Sequence, residues 1–262
     1  MIEILNVVLL GLIEGITEFL PISSTGHLLI AEHWLGHRSD LFNIVIQAGA
    51  MIAVTLVYRQ RLFALATHLR QPENRAYALK LSVAFLITAL LGLVAKKLGF
   101  SLPESTAPVA WALIIGGVWI LGAEWWAGRQ PPRAKVTWAA AVIVGVAQVV
   151  AGIFPGTSRS GATIFAAMVA GTTDRAAATE FAFLVGIPTM FAASAYELYG
   201  QRAHGAGGED WTLLAIAFLA STVVAFVAIK WLLGFIQSHS FTVFAWYRIA
   251  LGGALLALPA NW

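Results

Sequence analysis

The chain contains no cysteine. That excludes disulfides, thiol nucleophiles and cysteine metal sites. Charge is scarce as well. Charged residues make up 11% of the chain and hydrophobic ones 59%, whereas a soluble domain carries about 25% charged residues. No alternation of apolar and polar residues runs along the sequence, which speaks against a transmembrane barrel. HExxH, Walker A and GxGxxG patterns are all missing, so the metal and nucleotide chemistries they announce get no support. The amino-terminal stretch lacks a basic n-region and carries Glu3, so no cleaved signal peptide is expected. The net charge of +3 does not argue for a nucleic-acid partner, and none is expected. The basic residues fall between apolar stretches, where membrane topology accounts for them.

What the chain does have is a succession of apolar runs, at 4–20, 22–36, 42–58, 79–98, 107–126, 137–154, 161–171, 178–200, 211–236 and 241–259. Most approach the roughly 17–25 residues that a helix needs to cross a ~30 Å hydrocarbon core. Helices satisfy their own backbone groups in lipid, so the expected fold is an all-α polytopic membrane protein. The runs on either side of Pro21 and Pro155 are short for full crossings. Each pair reads as a re-entrant helical hairpin, which leaves about six full transmembrane helices. The 59–80 and 127–136 connections carry Arg59, Arg61, Arg70, Arg75, Lys80, Arg129, Arg133 and Lys135, and so read as cytoplasmic. The Pro21 hairpin then opens outward and the Pro155 hairpin inward. The Lys96–Lys97 pair falls on the less basic side. A single transmembrane domain is expected, built from inverted-topology repeats at 1–126 and 137–262.

Two stretches place polar groups inside these runs. Gly11–His27 reads GLIEGITEFLPISSTGH, and Gly145–Gly161 reads GVAQVVAGIFPGTSRSG. Laid over each other, Gly11 meets Gly145, Glu14 meets Gln148, Pro21 meets Pro155 and Ser24 meets Ser158. Ionisable groups inside a bilayer cost roughly 2.5–3.5 kcal/mol each on insertion scales and usually mark function. Two matched broken helices in the two halves of a chain point to one site near the membrane midplane.

Glu14 and Glu18 are four residues apart and share a helix face. On a soluble helix they would be a solvated edge. In an apolar run they need a shared proton, a cation or a basic partner. An all-oxygen pair suits Mg²⁺ or Ca²⁺, so Glu14 and Glu18 are the candidate metal ligands. After Pro21 come Ser23, Ser24, Thr25 and Gly26, a composition suited to a new helix start, where N–H groups and the dipole favour anions. His27 lies within reach as a general acid or base. In the second turn Ser158, Arg159 and Ser160 add a guanidinium fork that matches phosphate; Arg159 is also the natural ion-pair partner of Glu14 or Glu18. Arg248, inside the last apolar run, is expected to pair with Glu180. The tryptophans at 111, 119, 125 and 126 read as interface belt or packing residues.

At these residues the chain closely resembles the undecaprenyl-pyrophosphate phosphatase family, also called the bacitracin-resistance protein family. Glu14–His27 matches that family's first motif and Pro155–Thr163 its second. Val45–Gly49 and Glu180–Val185 extend the likeness, while the loops at 70–80, 99–106 and 200–210 carry little of it. The resemblance implies a multi-pass enzyme of the bacterial inner membrane. It would hydrolyse undecaprenyl pyrophosphate to undecaprenyl phosphate with a divalent cation, its site opening to the periplasm. It places the catalytic roles on Glu14, Glu18, Ser24, His27 and Arg159. Phosphate binding falls on Ser23, Thr25, Gly26, Ser158, Arg159 and Ser160. The implied partners are a polyprenyl pyrophosphate lipid and the bilayer, with a homodimer as the candidate assembly. Ser24 is the first choice of nucleophile and Ser23 the second, with direct attack by water as the other route. The rival reading is a transporter or flippase of a lipid phosphate.

Overall fold

The computed structural model describes residues 2–100, 105–203 and 210–258, with the side chains at 197 and 200–203 excepted. Every regular element among them is helical: α1 Ile2–Thr17, α2 Ser24–Leu35, α3 Asp40–Val57, α4 Arg59–Thr67, α5 Pro72–Lys97, α6 Thr106–Ala127, α7 Trp138–Ile153, α8 Arg159–Val169, α9 Arg175–Ala203, α10 Trp211–Phe235 and α11 Thr242–Leu256. The chain is an all-α polytopic membrane protein. Five helices are long and apolar enough to cross a bilayer: α3, α5, α6, the Arg175–Tyr196 part of α9, and α10.

The sixth expected crossing is shorter than its apolar run. The 15 residues of α11 rise about 22 Å at 1.5 Å each, less than the hydrocarbon thickness. Its amino end is delayed by a turn at 236–238 and its carboxyl end lies by the Ala257 cap. The basic 59–80 connection is itself partly helical, forming α4 and the start of α5.

Packing pairs the helices in matching sets. α1 lies along α10 as α7 lies along α5, and α3 touches α10 as α9 touches α5. α3 packs on α9, and α6 on α11. Gly11 on α1 backs onto the Ala217 carbonyl, and Gly145 on α7 onto the Ala84 carbonyl, so at both places no Cβ fits. Close approach through small residues is how helices associate in lipid, where no hydrophobic drive exists between them. The central core gathers Phe165, Phe181, Phe241, Ile164, Met168 and Ile229. Outward faces are apolar too. Leu86, Leu90 and Val94 of α5 and Val223 and Val227 of α10 are exposed, as a lipid-facing surface requires. Trp111, Trp119 and Trp125 are exposed on α6, while Trp126 packs against the core.

At the end of the bundle that carries the basic connections, the Arg175 guanidinium grips Glu124 with Nε at 2.9 Å and Nη2 at 2.6 Å. The same carboxylate accepts from the Phe241 amide at 2.9 Å. One buried acid thus ties together the end of α6 and the starts of α9 and α11.

Candidate active site

Both proline breaks end in the same device. α2 starts at Ser24 behind an N-cap Ser23, whose hydroxyl accepts from the Gly26 amide at 3.3 Å. α8 starts at Arg159 behind an N-cap Ser158, whose hydroxyl accepts from the Gly161 amide at 3.1 Å. The two caps have φ 76° and 69° and are the only non-glycine residues with positive φ among those described. Such backbone costs about 1–3 kcal/mol and persists where the surroundings over-determine it.

The match between the turns therefore has a different register from the one seen in the sequence. Ser158 corresponds to Ser23, and Ser24 corresponds to Arg159. The second turn is one residue longer between its proline and its cap. Gly156, at φ +89° and where a Cβ would collide with the Val109 backbone, belongs to that longer turn.

The two turns are stitched together. The Ser160 hydroxyl lies 3.1 Å from both the Glu18 and Leu20 carbonyls, and 3.1 Å from the Ser158 hydroxyl. The Ser23, Ser158 and Ser160 hydroxyls are thus committed to caps and to the seam. Of the groups expected to meet phosphate, Arg159, Thr25 and the first amides of α2 and α8 are left to face a ligand.

The acidic wall comes from the last turn of α1 and the residue that follows it. Glu14 and Glu18 are 1% and 8% exposed. The Ser24 hydroxyl donates to Glu18 Oε2 at 2.5 Å. Arg159 Nη1 stands 4.0 Å from Glu18 Oε1. Glu14 Oε1 and Arg159 Nη1 are buried with no hydrogen-bond partner. An orphan acceptor and an orphan donor so close in the fold to Glu18 are unusual among buried polar groups, which normally pair. The set can receive a cation and an oxyanion together.

His27 takes a different place from the one expected beside the acids. Its Nδ1 lies 2.6 Å from the Ser23 carbonyl, which can only accept, so Nδ1 carries the hydrogen. Its Nε2 meets the Tyr247 hydroxyl at 2.7 Å. The imidazole holds the strained cap from below and hands its second nitrogen to α11.

Arg248 corrects a further expectation. It is fully buried, and Glu180 is not its partner. Glu180 accepts instead from Arg61 Nε at 3.0 Å and the Tyr77 hydroxyl at 3.1 Å. Arg248 points at backbone. Its Nε donates to Leu113 O at 3.2 Å and Nη1 to Pro21 O at 3.2 Å. Its Nη2 reaches Ala112 O at 3.0 Å, Gly156 O at 3.1 Å and Thr157 O at 3.0 Å. Broken helices leave carbonyls without intrahelical donors, and one guanidinium supplies both turns and α6. The charge within an apolar run signalled this residue, but the acceptors exist only once the turns meet. Tyr247 and Gly116 carried no signal of their own. Gly116 is where the guanidinium passes, and a Cβ there would collide with it.

Arg248→Lys is accordingly expected to lower both melting temperature and turnover, because an ammonium cannot reach this spread of carbonyls. Each carbonyl left alone costs about 1–3 kcal/mol. Gly116→Ala, which removes no donor, should shift both in the same direction by displacing the side chain. Thermal unfolding in detergent and a turnover assay measure the pair. Wild-type values in both variants would remove Arg248 from the site.

Residues 7–254 match the family described as Bacitracin resistance protein BacA. The chain belongs to the BacA family. The match includes every residue of the site, from Glu14 to Arg248. Curated relatives run the full length of this BacA-family chain. An undecaprenyl-diphosphatase of Rhizobium etli is 67% identical over 260 residues, covering 99% of this chain and 98% of the relative. An undecaprenyl-diphosphatase of Xanthomonas euvesicatoria pv. vesicatoria is 61% identical over 262 residues, covering 99% of each.

Proposed function

We propose that this BacA-family protein is a membrane phosphatase. It hydrolyses undecaprenyl pyrophosphate to undecaprenyl phosphate and inorganic phosphate, recycling the lipid carrier of cell-wall synthesis and so conferring bacitracin resistance. The names of its full-length relatives support the substrate. The observation that carries the chemistry is the 2.5 Å hydrogen bond from Ser24 to Glu18, at a helix start beside Arg159.

In this reading the terminal phosphoryl group lies against the first amides of α2, with Arg159 on its oxygens. Glu18 takes the Ser24 proton as Oγ attacks phosphorus. The bond to the bridging oxygen breaks, and lipid phosphate departs. Water then attacks the phosphoserine phosphorus, Glu18 returns its proton to the Ser24 oxygen as the P–Oγ bond breaks, and inorganic phosphate leaves with the hydrogens of the water. Charge stabilisation by fixed donors supplies much of such catalysis. His27 and Tyr247 hold the cap that aims Ser24.

Glu14, Glu18 and the Ser24 hydroxyl form an all-oxygen donor set that fits a hard divalent cation, Mg²⁺ or Ca²⁺. Glu14 Oε1 offers an unused buried lone pair to it. Among the described residues no three His, Cys, Asp or Glu gather as a closed metal cage, so the remaining ligands would be phosphate oxygens and water. When bound, the cation would neutralise charge on the phosphoryl oxygens.

The decisive assay is phosphate release from a long-chain prenyl pyrophosphate by the purified chain, with and without chelator. Release that needs the divalent cation supports the reading, and no release at any cation concentration overturns it.

We also read the halves 1–126 and 137–262 as inverted-topology repeats. The paired packing of α1 with α10 and of α7 with α5 supports this. Positive connections on the cytoplasmic side would set the α1–α2 hairpin opening to the periplasm of the inner membrane. Single-cysteine labelling is clean in a chain without cysteine. His37 is a better reporter than its neighbour Arg38, with side-chain exposures of 82% and 19%. His37→Cys is expected to react from outside and Arg133→Cys only after permeabilisation. Labelling of both from one side would overturn the orientation.

A further inference from the structure

A cavity of about 920 Å³ lies away from the turns, at the end of the bundle that carries the basic connections. Its walls are the start of α5, the chain just before α7, the first turns of α9 and the end of α10. It shares no residue with the phosphatase site. The volume falls in the range of small-molecule sites, roughly 300–1,000 Å³.

Its charges are unbalanced. Arg61, Lys80 and Lys135 line it, with Glu73 and Glu180 as the acids. Glu180 is already satisfied, by Arg61 at 3.0 Å and by the Tyr77 hydroxyl at 3.1 Å. Glu73 is exposed in the first turn of α5. Lys80 is 7% exposed. Its ammonium donates to the Val136 carbonyl at 2.8 Å and stands 5.4 Å from the Trp138 ring. Lys135 lines the same cavity. Two neighbouring cations, one of them buried, ask for an anion.

A second observation points the same way. Tyr58 lines this cavity and is 8% exposed, and its hydroxyl is buried with no hydrogen-bond partner. An orphan phenol donor and the two ammonium groups suit an acceptor with several oxygens, and a phosphate offers three or four. Val136 and Leu233 supply an apolar wall beside them.

We propose that this cavity binds the phosphate headgroup of a prenyl phosphate lipid, at the end of the molecule opposite the opening of the α1–α2 hairpin. The occupant is a monophosphate, which has no anhydride bond to cleave, so the cavity is a binding site and not a second active centre. The apolar wall favours a lipid over free phosphate. The choice of a prenyl tail rests on the phosphatase reading of the turns, while the cations, the orphan phenol and the apolar wall are the cavity's own.

The test uses the full chain in nanodiscs with Gln237→Cys, on the cavity wall, carrying an environment-sensitive dye. Glu14→Gln in the same chain suppresses turnover at the other site. Farnesyl phosphate, inorganic phosphate and farnesol are titrated in turn. Farnesyl phosphate is expected to give a saturable signal, and the other two none in the same range. Lys135→Gln, on an exposed side chain, should weaken that binding by roughly tenfold, the scale of one charge-assisted hydrogen bond. Tyr58→Phe should weaken it several-fold, and Lys80→Met at least as much as Lys135→Gln. In a chain with Glu14 restored, Lys135→Gln should leave phosphatase turnover unchanged. Equal saturation by inorganic phosphate would assign the cavity to the free ion and overturn the lipid proposal. A signal matched by farnesol, or one indifferent to Lys135→Gln, would overturn it too.

Discussion

Glu14→Gln and Glu18→Gln should each lower turnover by about a hundredfold or more, the scale of a lost general base or charge clamp, while the protein inserts and folds as before. Glutamine keeps the volume of each site and can still accept the Ser24 hydrogen bond. It cannot take the proton from Ser24, nor offer a negative charge to a cation. Glu14 is the sharper test. Its Oε1 has no hydrogen-bond partner in the folded chain, so the buried carboxylate there is only partly compensated. Removing that charge should leave melting temperature equal or raised, since an incompletely paired buried ion is destabilising. Function and stability would then move in opposite directions, which a packing role cannot produce. Near-normal turnover in both variants would sink the acidic half of the site.

Ser24→Ala should abolish measurable turnover, beyond the 10²–10⁴-fold expected from loss of acid–base help alone. The substitution spares the cap, though it takes a donor from Glu18. Ser24 is the first helical residue of α2, and the cap is the preceding serine, so alanine at 24 removes no cap and suits a helix start. Acid quench of substrate labelled at its terminal phosphate should trap phosphoserine at position 24. Stereochemistry gives an independent readout. Two in-line displacements return the original configuration at phosphorus, whereas a single attack by water inverts it. Inversion, no trapped phosphoserine and substantial turnover in Ser24→Ala would assign the attack to water, with Ser24 as an orienting group.

The all-helical membrane fold was legible because few charges interrupt long apolar runs. The two turns were legible because hydroxyls, glutamates and an arginine have no cheap place in lipid except a site. What escaped was set by contacts that appear only when the turns meet. The register of the turns was read one residue out, because Ser24 over Ser158 aligns with Pro21 over Pro155, and a one-residue difference in a loop leaves no periodic trace. Arg248 was visible as a buried charge, but its acceptors are main-chain carbonyls, and the nearest textual candidate was an acid. Glu180 in turn has its partners on α4 and α5, inside a connection that looked like a loop. His27 was drawn toward the acids by proximity in sequence, whereas a helical turn carries its ring round to Ser23 and Tyr247.

The arginine that holds the turns also limits how this molecule can move. A carrier that alternates its access rocks one half against the other about a central site. Here a single side chain is hydrogen-bonded at once to Pro21 of the first half and to Gly156 and Thr157 of the second, and Ser160 bonds across the same seam. Parting the halves would break these bonds together and leave a buried guanidinium and several carbonyls without their partners. The seam is therefore a weld and not a hinge. Lipid must enter and leave around a fixed floor, and selectivity for what enters must lie in the rim of the opening.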